Sequence, residues 1–235
     1  MKLTVIIPMY NESKIIADTA NALWEYMNKT FEEYEIIFSD DGSKDASAQI
    51  VEALGLENVR VLRCEQNRGK GSAVRQAMLA ADGEVRLFTD ADLAYGLDVI
   101  KRAYDIMISD DKPDMLIGSR NIGKDGYEGY TFKRKLMSKV YIKILCFIGG
   151  FKLTDSQCGI KAFDGRCAEQ IFSQCCVDGF AFDFEAILRA KKYGKRIAEM
   201  PVKIVNHRES SVRPLRDSLK MLGDLRTIKK NVNLK

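Results

Sequence analysis

Two carboxylates one residue apart, Asp90 and Asp92 in the run LFTDADL (Leu87 to Leu93), follow a short apolar stretch, Val85 to Phe88, that reads as a buried strand. In a strand that is just ending, residues two apart point to the same side, so both carboxylates can face one point. Like charges that close repel unless a proton or a cation lies between them. Hard oxygen ligands favour Mg²⁺ or Mn²⁺, commonly shared with substrate phosphates. The pair is therefore a candidate cation site for a diphosphate; taken alone, it leaves a loop-capping pair of exposed aspartates equally open.

Other chemistry-bearing residues recur after apolar runs. Tyr34 to Ser39 closes on Asp40-Asp41-Gly42-Ser43, where a carboxylate can accept hydrogen bonds from a base or ribose. The same residues also read as an Asp-Gly turn, with Ser43 or Asp45 capping a helix over Ala46 to Leu54. Val59 to Cys64 leads into Asn67-Arg68-Gly69-Lys70-Gly71-Ser72, whose glycines let backbone N–H groups approach an anion and whose Arg68 and Lys70 add charge at the start of a helix, Ser72 to Ala81. The spacing is not that of a P-loop. At the start of the chain, Leu3 to Ile7 is a β-branched run stopped by Pro8. Met9 to Ser13 follow, with Asn11 or Ser13 as the natural N-cap of a helix carrying Ile16, Leu23, Trp24 and Met27.

These runs alternate as β-α-β-α-β-α-β with crossover spacing, which predicts a mostly parallel sheet flanked by helices. Ligands of such sheets bind at the carboxyl ends of the strands, and the motifs after Ile7, Ser39 and Phe88 all lie there. Downstream, the pattern gives a helix Asp98 to Ile108, a strand Met115 to Gly118 leading to Arg120, and a glycine-bearing loop that is a candidate lid. Phe132 to Phe151 forms a helix, basic first and apolar later, suited equally to a membrane surface or to the core. Asp155 stands before a turn and a strand, Ile160 to Phe163; a helix with Asp183 and Glu185 near its start, a strand Ile197 to Val205 and a basic helix Ser218 to Ile228 complete the chain. The expected organisation is a single α/β domain over 1–210 in two halves, about 1–120 and about 121–210, followed by a basic amphipathic helix over 211–235.

The 235 residues are long enough to bury a substantial core, and 46% hydrophobic with 30% charged residues is an ordinary soluble composition. A formal net charge of +4 is too slight to argue for nucleic acid. Basic residues concentrate past Ser211, a tail suited to anionic lipid or to a solvated helix face. Six scattered cysteines without CxxC pairing point to a reducing cytoplasm. No signal peptide or membrane-spanning run is evident, so the expectation is a cytoplasmic protein, peripheral at the cytoplasmic face of a membrane.

With IIPMYNE, SDDGS, NRGKGSA, TDADL, GSR, DSQCGIKAF and FDFE in this order, the chain resembles family 2 glycosyltransferases of the GT-A fold over about Leu3 to Arg208. It looks most like polyprenyl- or dolichyl-phosphate glucosyl- and mannosyltransferases, with DSQCGIKAF and FAFDFE nearer the glucosyl type. The resemblance implies an inverting transfer of a hexose from UDP-glucose or GDP-mannose to a lipid phosphate. It places Pro8, Tyr10, Glu12 and Asp41 at the nucleotide, Asp40 in support of that loop, and Lys70 and the backbone of Ala91 in the nucleotide-sugar site. Asp90 and Asp92 become ligands of Mg²⁺ or Mn²⁺. Mannosyl members often carry Gln where this chain has Ala94, so His207 is a candidate third ligand. Arg120, Arg134 and Arg208 match basic positions that hold diphosphate or acceptor phosphate, and Asp155 matches a proposed base or orienting group. A transferase acting on a glycan or soluble hydroxyl, a sugar nucleotidyltransferase and a non-catalytic binding module are the competing readings.

Overall fold

The computed structural model describes residues 1–123, 126, 132–206, 223–225, 227, 228 and 230–232, the side chains of 132–138 and 141 excepted. Element order is β1 (Leu3–Met9), α1 (Ile16–Thr30), β2 (Tyr34–Asp40), α2 (Ser47–Ala53), β3 (Val59–Arg63), α3 (Lys70–Ala80), β4 (Val85–Phe88), α4 (Asp98–Ile108), β5 (Met115–Ser119), α5 (Phe132–Gly149), β6 (Lys161–Asp164), α6 (Gly165–Phe172), α7 (Phe182–Lys192) and β7 (Ile197–Pro201).

The strands form one sheet ordered β3-β2-β1-β4-β6-β5-β7. Its pairings are parallel except at β6, which runs antiparallel between β4 and β5. The period of two in β1 builds both cores. Leu3, Val5, Ile7 and Met9 join α1 and α4 on one face, and Ile6 joins Val74, Phe88, Phe163 and Phe182 on the other.

Pro8 does not stop β1, which continues to Met9. Even-numbered residues of β1 bond toward β4, as the Thr89 N–H donating to the Ile6 carbonyl at 3.0 Å shows, and that pairing ends at Ile6 and Phe88. The N–H that proline lacks therefore faces no ladder. The last strand is shorter than expected, ending at Pro201, and α6 is a helix the sequence reading does not contain.

The C-terminal helical residues place Leu225, Ile228 and Val232 against Leu145 of α5 and against Val177, Phe184 and Leu188. Their apolar side is spent on protein. α5 adds Leu145 and half-buried Ile148 to this core and buries Ile142, while Val140, Ile144 and Phe147 stay exposed, Phe147 at 89%. Among the described residues no helix is long and apolar enough to cross a membrane.

Candidate active site

The loops after β1 and β2 are sewn together. Asn11 N–H donates to Ser43 Oγ (2.9 Å), Glu12 N–H to Ser47 Oγ (2.8 Å) and Lys44 N–H to the Asn11 side-chain oxygen (2.8 Å). Asn11 sits at φ 56°, a left-handed conformation that asparagine tolerates. Asn11 and Ser13 are therefore stitches rather than caps, and α1 starts at Ile16 with no side-chain cap. Asp45 accepts from Ser13 N–H (3.1 Å) and Ser47 N–H (3.0 Å). Partial burial would raise its carboxyl, but the bonds from Ser47 and Ser13 prevail and hold it at about 2. Pro8 is buried at the head of β1, Glu12 is half-buried, and Tyr10 stands exposed beside them.

Asp40 closes its own turn by accepting from Ser43 N–H at 3.1 Å. Asp41, buried, accepts from Arg68 N–H (3.0 Å) and Gly69 N–H (2.8 Å). Burial pushes its carboxyl up and those two bonds pull it back. Asp41 thus anchors the 67–70 loop to the end of β2.

The glycines of that loop answer to protein rather than to an anion. A Cβ on Gly69, at φ 122°, would lie 2.4 Å from the Asp178 carbonyl oxygen, and one on Gly71 would lie 2.6 Å from Phe182 Cβ. Residues 177–182 cover the start of α3, where the Ser72 N–H donates to the Asp178 carbonyl. The Arg68 guanidinium pairs with the Asp178 carboxylate (3.0 Å), as does that of Arg75 (2.6 Å). Buried Glu185 fixes this segment by accepting from Val177 N–H (2.8 Å), Cys176 N–H (3.0 Å) and Arg189 (2.8 Å).

Asp90 and Asp92 lie beyond β4 in a tight turn, Leu93 N–H donating to the Asp90 carbonyl at 3.0 Å, so strand alternation is not what aligns them. Leu93 has φ 48°, and Asp92 Oδ1 accepts from Ala94 N–H at 3.1 Å. The Lys70 ammonium bonds Asp90 and lies in electrostatic reach of Asp183 and Asp92. Burial works against that charge, and Asp90 and Asp183 more than restore it, leaving Lys70 raised. Gly159 gives Asp90 its room, because a Cβ there would fall 2.0 Å from Asp90 Oδ2. Ala91 is buried, its carbonyl accepting from Thr19 Oγ at 2.7 Å.

Beneath this turn Lys161, fully buried on β6, pairs with Asp183 at 2.7 Å and donates to the Cys158 carbonyl at 2.7 Å. Burial raises the Asp183 carboxyl, against the pull of Lys161 and Lys70. On the far side, Arg120 at the end of β5 grips fully buried Asp155 through Nε (2.6 Å) and Nη2 (3.0 Å). Asp155 also accepts from Arg120 N–H and Gln157 N–H, both at 3.2 Å. Glu199 on β7 holds the Thr154 and Asp155 N–H groups at 2.9 and 3.0 Å. The Tyr95 hydroxyl accepts from Gly159 N–H (3.1 Å) and lies in electrostatic reach of both Arg120 and Asp90.

His207 and Arg208 lie outside the described residues, and Arg134 is on α5 with its side chain outside them. The residue before His207 is fixed to the Asp90 turn, Asn206 Nδ2 donating to the Leu93 carbonyl at 2.9 Å and Asn206 N–H to that of Ala94 at 3.2 Å. Among the described residues no group of three or more metal-ligating side chains converges. A Mg²⁺-type ion fits nonetheless, since it takes one or two carboxylates and draws its other ligands from phosphates and water. Asp90 already holds one positive charge, that of Lys70. Sequence reasoning reaches Asp183 only as a carboxylate that a hydroxyl acceptor would need, and it misses Lys161, Tyr95 and Glu199; the signal for Lys161 and Glu199 is a charged residue inside a short strand, IKAF and AEMPV.

A model described as Glycosyl transferase family 2 matches residues 4–172. A dolichyl-phosphate beta-glucosyltransferase of Dictyostelium discoideum is 33% identical over 95% of this chain and 72% of its own length. The proteins of that name from Homo sapiens and Saccharomyces cerevisiae are each 29% identical over 95% of this chain, covering 74% and 72% of their own lengths. Among solved structures, glucosyl-3-phosphoglycerate synthase from Mycobacterium tuberculosis in complex with uridine-diphosphate superposes over 100% of this chain and 81% of its own, with a TM-score of 0.71 at 17% identity. The same enzyme in complex with Mn²⁺, uridine-diphosphate and glucosyl-3-phosphoglycerate gives a TM-score of 0.70. The fold is GT-A.

Proposed function

The chain belongs to glycosyl transferase family 2, and from that premise we propose that it transfers glucose from UDP-glucose to a dolichyl- or polyprenyl-phosphate carrier. The observation that carries this reading is the 33% identity over 95% of the chain to a dolichyl-phosphate beta-glucosyltransferase. It favours glucose over mannose, and lipid phosphate over a glycan hydroxyl.

In this reading Pro8, Tyr10, Glu12 and Asp41 bind the nucleoside, with Asp40 bracing the turn behind them. Asp90 and Asp92 would hold a Mg²⁺ or Mn²⁺ ion, which supplies Lewis-acid stabilisation of the leaving diphosphate. Lys70 and Ala91 border the same diphosphate. Arg120 presents a charge whose direction is fixed by two bonds to Asp155, so stabilisation of the developing charge requires little reorganisation. Asp155 then orients Arg120 rather than acting as base, because its carboxylate is sealed from solvent and committed to the guanidinium. A phosphate acceptor needs no base, since its oxygen is anionic at neutral pH. Direct displacement inverts the anomeric centre and yields a β-glucosyl phosphate. Arg134, His207 and Arg208 remain candidates for the acceptor phosphate and for the cation's coordination.

Exposed Val140, Ile144 and Phe147 recur on one side of α5, a helix with Lys139 and Lys143 exposed and no acidic residue in its sequence. This supports a peripheral seat of the acceptor half on an anionic membrane surface, at its cytoplasmic face. The test is nucleotide release across UDP- and GDP-sugars with polyprenyl phosphate and with soluble sugars as acceptors. Release that needs UDP-glucose and lipid phosphate supports the assignment; turnover only with a soluble sugar would sink it.

A further inference from the structure

Four charged side chains from four elements alternate in sign under the Asp90 turn: Lys161 on β6, Asp183 on α7, Lys70 on α3 and Asp90 after β4. The Phe88 ring lies beneath both ammonium groups, 5.5 Å from Lys161 Nζ and 5.9 Å from Lys70 Nζ. Lys161 meets Asp183 Oδ1 as an ion pair at 2.7 Å, and no well-aligned hydrogen bond reaches that buried oxygen. Buried carboxylate oxygens seldom stay in that condition. Lys70, half-buried against Asp90, is the next cation within reach. Two cations cannot both hold the Asp90 carboxylate at contact distance without strong repulsion.

We propose that Lys70 is a displaceable counter-cation of the donor site, holding Asp90 until a divalent ion takes its place and then settling on Asp183. This rests on the assignment of Asp90 and Asp92 as cation ligands. It makes the protein's affinity for the ion the outcome of an internal competition, weak before a nucleoside diphosphate arrives and stronger once phosphate oxygens add to the coordination. Asp183 is then a positioning residue that acts through Lys70.

The direct test is Mn²⁺ binding without nucleotide, read from the electron paramagnetic resonance of free Mn²⁺, for wild type, Lys70→Met and Lys70→Arg. An opposite charge in contact changes a carboxylate's affinity for a competing cation about tenfold or more, so Lys70→Met is expected to bind Mn²⁺ on the order of tenfold tighter. Lys70→Arg keeps the charge and is expected to stay near wild type. Arg68→Gln, which removes an exposed charge paired with Asp178, is expected to move Mn²⁺ affinity by no more than about twofold. Equal or weaker Mn²⁺ binding by a folded Lys70→Met variant overturns the proposal, as does an equal gain in Arg68→Gln. Lys70→Gln repeats the test should the methionine variant fail to fold. Absence of Mn²⁺ binding in every variant, even with UDP present, overturns the cation site together with this inference. Tightening in Lys70→Met upholds it, whatever acceptor the enzyme turns over.

Discussion

Replacing Asp155 by asparagine removes one charge from a pair that the fold has sealed. Asp155 is wholly inaccessible, Arg120 is 12% exposed, and the two meet through bonds of 2.6 and 3.0 Å. Removing one partner of a buried pair costs about 3–5 kcal/mol, because the other charge is left uncompensated. An amide keeps one acceptor oxygen and the edge of Arg120 reaches solvent, so the low end, about 3 kcal/mol, is expected. At about 2–4 °C per kcal/mol for a chain of this size, the melting temperature should fall by roughly 6–12 °C. Loss of the fixed orientation of Arg120 should also lower kcat/KM on the order of a hundredfold. Calorimetry and steady-state glucosyl transfer on Asp155→Asn, Arg120→Gln and the double variant measure both effects. The double variant should be more stable than the sum of the singles implies, by about 1 kcal/mol or more. Wild-type melting with abolished turnover would refute this reasoning and make Asp155 a base.

The remaining predictions concern the flanking elements. Gly159→Ala places a Cβ 2.0 Å from the position of Asp90 Oδ2, so Asp90 must turn away; affinity for UDP in the presence of Mn²⁺, measured by calorimetry, should fall about tenfold or more. The Asp45 carboxyl lies at about 2, below its unfolded value near 3.9, so its stabilisation is complete above about pH 5 and disappears as the pH falls through 2. The stability difference between wild type and Asp45→Asn, followed by denaturant titration, should therefore be flat above about pH 5 and shrink between about pH 4 and pH 2. Phe147→Glu puts a charge on the most exposed of the described apolar side chains of α5; sedimentation with anionic vesicles should drop while turnover of a short, water-soluble polyprenyl phosphate is kept.

Much of this arrangement was legible before the structure, because each motif closes an apolar run and runs of that kind become strands. β4 and α4 have the bounds the pattern gives, and Asp90 and Asp92 stand past the end of β4 as expected, while β2 runs one residue further than the pattern gives and ends on Asp40. What sequence could not supply is tertiary. Asp178 meets Arg68 and Arg75 across more than a hundred positions, which is why Gly69 and Gly71 read as an anion cradle and prove to be places of close packing. Lys161 and Asp183 become partners only because β6 enters the sheet antiparallel, between β4 and β5. The α6 helix, of eight residues, is too short to declare a period, and its cap, Asp164, precedes a glycine as a turn residue also would. Asp90 and Asp92 are placed by a tight turn at Leu93 rather than by strand alternation, with the Lys70 ammonium bonded to Asp90.

Magnetic resonance of the lipid product bears most directly on the assigned reaction, with UDP-glucose, polyprenyl phosphate and Mg²⁺ as the only additions to the purified protein. A single new glucosyl phosphate with β configuration is expected, formed in step with UDP release. An α-linked product, a mannosyl product formed in preference from GDP-mannose, or UDP release with no glucose on the lipid would contradict it.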